Sequence, residues 1–174
     1  MRDERKAQFE LAVLPHLAAA YNLARWLTRD AHDAEDVVQE AYLRAYRFFD
    51  TFHGGDGRAW LLRIVRNTCY TWLEKNRPRE PMATFDEAQH STGAPAAGPE
   101  AGLVAGEDRE LLRQALAELP EEYREAIVLR EMEGLSYREI AAVTGAPIGT
   151  VMSRLARARE RLQEGLARRR PEER

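Results

Sequence analysis

Cysteine occurs once, at Cys69, in a chain of 174 residues, so the chain can close no internal disulfide and offers no multi-thiolate metal site. Nothing points to an oxidising compartment, and the expected location is cytoplasmic. Histidine is also sparse. His16, His32, His53 and His90 form no His-x-x-x-His or Glu-x-x-His pair, which argues against a helical metal-dependent enzyme. The glycine-rich stretch "HGGDG" lacks the lysine and hydroxyl residue of a phosphate-binding loop, and no nucleophile with an adjacent base stands out. No catalytic residue, metal or cofactor is therefore expected. Long apolar runs are missing too: Phe9 to Leu27 is interrupted by Pro15, His16, Asn22 and Arg25, so it is neither a signal-peptide core nor a membrane span.

Charge, by contrast, is plentiful. Charged residues make up 32% of the chain and apolar ones 44%, a balance that suits long solvated helices around small cores. The formal net charge of -3 conceals a segregation along the sequence. Asp30, Asp33, Glu35, Asp36 and Glu40 follow one another with no intervening cation, whereas Arg58, Arg63, Arg66, Lys75, Arg77 and Arg79 are opposed only by Glu74. One surface for a basic partner and another for a polyanion are the expectation.

Helical periodicity divides the chain. Val37, Ala41, Ala45 and Phe49, flanked by Val38, Tyr42 and Tyr46, make a broad apolar stripe that starts after Asp33, the expected N-cap. After the glycine-rich break, Trp60, Leu61, Ile64, Val65, Thr68 and Trp72 resume the pattern; Trp60 and Trp72 read as core residues. With Phe9 to Leu27, these segments predict a small helical bundle over residues 1–78. Residues 79–106 carry Pro81, Pro95 and Pro99 and the run "STGAPAAGPEAG", which predicts a flexible linker. A second helical domain is expected over 107–174, giving an all-α protein of two small domains.

The second domain is punctuated sharply. Pro120 with Glu121 and Glu122 starts one helix, and Gly134 ends it. Ser136 and Glu139 have capping-box spacing. Gly145 supplies a turn and Pro147 opens a longer helix. A short helix, a glycine turn and a longer second helix predict a helix-turn-helix, whose second helix enters the DNA major groove. Val151 and Leu155 fall on the core stripe with Ile140 and Val143, leaving Ser153, Arg154 and Arg157 to face phosphates and bases.

These residues carry a resemblance. "LSYREIAAVTGAPIGTVMSRLARARERL" (Leu135 to Leu162) resembles the region-four helix-turn-helix of extracytoplasmic-function (ECF) RNA polymerase sigma factors. "DAEDVVQEAYLRAYRFFDTF" (Asp33 to Phe52) is similar to the region-two helix of that family, and "AWLLRIVRNTCYTWLEKNRP" (Ala59 to Pro78) to its promoter-melting end. The resemblance implies an alternative sigma factor that binds bacterial core RNA polymerase and directs promoter recognition, DNA melting and transcription initiation. It implies a cognate anti-sigma factor as a further partner and no membrane insertion.

The resemblance also implies roles. Asp36, Gln39 and Glu40 would bind a coiled coil of the polymerase, on one helix face by their i, i+3, i+4 spacing. Arg63, Arg66, Lys75 and Arg77 would supply positive surface for the minus-ten strand, and Asn67, Thr68 and Cys69 match a short loop that reads a flipped base. Ser153, Ala156 and Arg157 would approach bases of the minus-thirty-five element, with Thr150 and Arg154 on its backbone. Met152 and Ala156 depart from residues common in the family, removing hydrogen-bond donors from the recognition helix. A free-standing DNA-binding regulator would account for the helix-turn-helix, but not for the acidic helix followed by a basic segment.

Overall fold

A computed structural model describes residues 1–76 and 102–170, all of whose regular elements are helical. Arg77 and most of the segment read as a linker lie outside the described residues.

The first bundle contains α1 (Arg2–Val13), α2 (Leu17–Thr28), α3 (Ala31–Arg47) and α4 (Gly57–Asn76). Pro15 splits the first helical stretch through a single 3-10 turn, Leu14–His16, because proline cannot donate to the turn before it. Arg29 then ends α2 in the left-handed conformation, at φ 62°. Asp30 follows as the N-cap of α3, its side chain accepting from the Asp33 amide at 3.0 Å. The expected cap, Asp33, is instead three residues inside, where its carboxylate meets the positive end of the helix.

The core of this bundle joins Phe9, Val13, Leu23, Leu27, Val37, Ala41, Leu61, Leu62, Val65 and Cys69. Phe9 sets the angle of α1 by meeting Tyr42, Tyr46 and Phe49 edge-on, at centroid distances of 5.1, 5.1 and 5.4 Å. Trp60 packs against Phe52 at 5.2 Å, and Trp72 lies against the same core, as their helical spacing predicts.

The second bundle contains α5 (Gly102–Ala117), α6 (Glu121–Ile127), α7 (Tyr137–Thr144) and α8 (Ile148–Arg169). Helix α5 starts at Gly102, five residues ahead of the predicted boundary at 107. The buried Arg124 ties α6 to the end of α5, donating to the Ala117 and Leu119 carbonyls at 3.1 and 3.3 Å. Helix α6 widens into a π-helical turn over Val128–Met132 before Gly134 reverses the chain. The predicted capping box is formed, Ser136 and Glu139 exchanging bonds of 3.1 and 3.0 Å. Gly145, at φ 72°, makes the left-handed turn between α7 and α8, a conformation that costs a residue with a β-carbon. Pro147 caps α8 rather than starting it.

The two bundles pack together, and their buried side chains form one continuous cluster. Helices α2 and α4 of the first face α6, its π-helical turn and α7 of the second.

Candidate nucleic-acid interface

The helix-turn-helix presents its second helix as the period predicted. Val151, Leu155 and Ala158 are buried against Ile140 and Val143, while Ser153, Ala156 and Arg157 are exposed along the outer side of α8. Thr150 and Arg154 are half-buried at the edge, and Arg154 approaches the Glu122 carboxylate at 3.8 Å. Ile148 and Met152 are exposed near the same end, so the leading turns of the helix offer apolar surface beside the hydroxyl of Ser153 and the cation of Arg157.

Asp36, Gln39 and Glu40 are all exposed on α3, one side of which is buried through Ala34, Val37 and Ala41. Glu40 pairs with Arg44 one turn later at 2.7 Å. Beside them runs an open groove of about 340 Å³ lined by Leu17, Val38, Gln39, Tyr42 and Leu43, and Leu43 is 65% exposed. An acidic edge next to an apolar groove suits a helical partner carrying basic and apolar side chains.

Helix α4 is where the structure departs most from expectation. Asn67, Thr68 and Cys69 lie within the helix, not in a loop. Asn67 and Lys75 are exposed, but Thr68 and Cys69 are buried at 1% and 0%, with the Thr68 hydroxyl donating to the Ile64 carbonyl at 2.7 Å. Thr68 and Cys69 therefore pack the bundle and do not present themselves to a base. Burial pushes the Cys69 thiol up to about 12, which keeps it protonated and unreactive.

The remaining cations of α4 face the second bundle. Arg63 donates to the Ala142 carbonyl of α7 at 3.3 Å. Arg66 donates to one carboxylate oxygen of Glu125 on α6 at 2.6 Å, and the Tyr70 hydroxyl donates to the other at 3.0 Å. The Arg66 guanidinium also lies 4.3 Å from the centroid of the Tyr70 ring. Desolvation pushes the Glu125 carboxyl up from its ordinary value against the pull of Arg66 and Tyr70. Burial opposes the charge on Arg66, yet the attraction of Glu125 more than offsets it and raises the guanidinium pKa.

Arg58, at the start of α4, completes the contact. It donates to the Glu133 carbonyl at 3.1 Å and pairs with the Glu139 carboxylate at 3.0 Å. The Asn22 amide of α2 donates to the Glu133 carboxylate at 2.7 Å. Sequence reasoning did not single out Asn22, Tyr70, Glu125 or Glu133. One signal was available for Glu125: it stands a helical turn before Val128 and Leu129, so a carboxylate occupies the apolar stripe of α6.

Both halves of the chain match models of sigma-70-type transcription factors. Residues 12–79 match Sigma-70 region 2 and residues 109–162 match Sigma-70, region 4. RNA polymerase sigma-H factor of Pseudomonas aeruginosa is 38% identical over 172 residues, covering 95% of this chain and 89% of that protein. ECF RNA polymerase sigma-E factor of Escherichia coli K12 is 42% identical over 135 residues, 74% of this chain and 71% of that one. Among solved structures, the sigma factor RpoE in complex with the anti-sigma factor NepR from Bartonella quintana superposes with a TM-score of 0.72 at 35% identity. That match covers 94% of this chain and 99% of that one. CnrH, solved with the cytosolic domain of CnrY, gives a TM-score of 0.65 at 26% identity over 95% of this chain and 91% of that one. The chain belongs to the ECF-type RNA polymerase sigma factors.

Proposed function

We propose that the protein, as an ECF sigma factor, engages its partners through three surfaces of the described structure. Asp36, Gln39 and Glu40 on α3, with the groove beside them, dock on a coiled coil of core RNA polymerase. Arg63, Arg66, Asn67 and Lys75 on α4 meet the melted minus-ten strand. Ser153, Ala156 and Arg157 on α8 face the minus-thirty-five bases, with Thr150 and Arg154 beside its phosphates. Affinity for DNA then comes largely from phosphate neutralisation and falls steeply with salt.

The observation that carries this reading is the sorting of α8. Its apolar register is buried to 1% or less at Val151, Leu155 and Ala158, while Ser153, Ala156 and Arg157 project from a helix seated by a formed capping box and a left-handed Gly145. A helix held this firmly presents three side chains to one groove.

RpoE was solved in complex with the anti-sigma factor NepR, and CnrH in complex with the cytosolic domain of CnrY. We infer that this protein too is controlled by an anti-sigma factor, which competes for the α3 face. The setting is cytoplasmic, where the polymerase acts, and among the described residues no helix is long and apolar enough to cross a membrane.

Run-off transcription with purified core polymerase on a promoter pool tests the reading. Discrete new transcripts are expected only when the protein is added. Binding to promoter duplex without polymerase, and no binding to core, would instead mark a free-standing regulator.

A further inference from the structure

We propose that Arg66 and Tyr70 form a phosphate subsite for the single-stranded promoter strand, and that Glu125 is a built-in carboxylate competitor occupying it in the closed chain. The inference rests on the reading of α4 as the strand-binding helix and assigns that helix a further residue, Tyr70, and an antagonist, Glu125.

Arg63, Arg66, Asn67 and Tyr70 follow i, i+3, i+4, i+7 spacing and so make one stripe along α4. The stripe carries cations, an amide and a phenol, the groups that track phosphates and bases of a single strand. At its centre the Arg66 Nε and the Tyr70 hydroxyl converge on the two oxygens of one carboxylate, at 2.6 and 3.0 Å. A guanidinium and a hydroxyl so placed recognise an oxyanion, and a phosphate presents the same paired oxygens as a carboxylate.

Glu125 is 1% exposed and belongs to the other bundle. Stability alone gives a poor account of a carboxylate there, because replacing a buried ion pair with apolar residues is often neutral or stabilising. A competitor gives a better one. While Glu125 holds Arg66 and Tyr70, and the Ala142 carbonyl holds Arg63, the strand has no access to the centre of the stripe. Parting the bundles removes all three acceptors together and turns a closed contact into a strand-binding face. Closure and strand binding are thus mutually exclusive uses of the same side chains.

Glu125→Gln in the full chain, without polymerase, is the direct test, read by fluorescence anisotropy on a labelled oligo-dT strand of about 12 nucleotides. The variant keeps the shape of the side chain and removes its charge. It is expected to bind the strand about tenfold more tightly than the unaltered chain, and the gain is expected to vanish in Glu125→Gln/Arg66→Ala. No gain, or a gain that survives loss of Arg66, overturns the competitor. Tyr70→Phe, a milder change, is read in the assembled holoenzyme, where the proposal requires the bundles to be apart; a several-fold weaker grip on the strand is expected, and an unchanged grip overturns the subsite. Arg66→Ala in holoenzyme separates the two levels. If it leaves promoter opening intact, the reading of α4 itself fails; if it impairs opening while Glu125→Gln shows no gain, only the competitor fails.

Discussion

At Gly57 the backbone of α4 runs so close to α1 that an added β-carbon would stand 2.4 Å from the Ala12 carbonyl oxygen. That neighbour is backbone inside a helix, so it cannot swing aside. Gly57→Ala is expected to cost about 1–3 kcal/mol in urea unfolding through overpacking. Gly106→Ala is the matched control: it is exposed on α5 with nothing within 4 Å of the new carbon, and removing a helical glycine should stabilise by about 0.5–1 kcal/mol. Equal effects at the two sites would mean that α1 does not pack where it is seen. Cys69 gives a second test at this scale. Its thiol is fully buried and pushed up to about 12, so an aromatic disulfide reagent at pH 8 is expected to leave it untouched until the chain is unfolded. Rapid labelling of the folded protein would show that the core face of α4 opens readily.

The helix α7 hangs on one carboxylate. Glu139 accepts from the Ser136 amide in the capping box and from Arg58 across the bundle contact, and these bonds hold it at about 2, below its ordinary 4.5. An acid whose folded value is depressed contributes stability above its unfolded value and loses it as pH falls through the folded one. Stability to thermal unfolding should therefore fall as pH drops from about 4.5 to 2, and Glu139→Gln should flatten that part of the profile. Ser136→Ala should cost about 1 kcal/mol near neutral pH, since it removes the hydroxyl that accepts from the Glu139 amide. These breaks and caps were legible in the sequence because capping is local: Gly134, Ser136, Glu139 and Gly145 act within a few residues of themselves. Asp30 displaced Asp33 as the cap of α3 because Arg29 ends α2 in a left-handed conformation that a non-glycine residue seldom announces. On α4 two readings of Thr68 conflicted, a core position from the period and a base-reading loop from the resemblance, and burial sided with the period. The α8 face was legible for the same reason, since a single period sorts its buried and exposed residues.

The contact between the bundles could not be read in this way, because Arg66 and Glu125 or Asn22 and Glu133 are distant in sequence and no periodicity links them. Yet it decides what the whole molecule can do. Arg58, Arg63 and Arg66 each donate to the second bundle, so in the closed chain these three cations of α4 are engaged there. On the proposed reading, in which the two bundles meet two promoter elements and α4 meets the strand, these bonds are exchanged for contacts with DNA and polymerase, which requires the bundles to part. Tethering them should then abolish initiation. The Asn22 amide and the Glu133 carboxylate lie 2.7 Å apart across the contact, so Asn22→Cys/Glu133→Cys places two thiols within reach of a short bismaleimide. Cys69 is buried and does not compete for the reagent. The crosslinked monomer is expected to lose run-off transcription while the untreated double variant retains it. Full activity of the crosslinked chain would mean that promoter recognition proceeds with the bundles closed, and that Arg63 and Arg66 meet the strand, if at all, from within the contact.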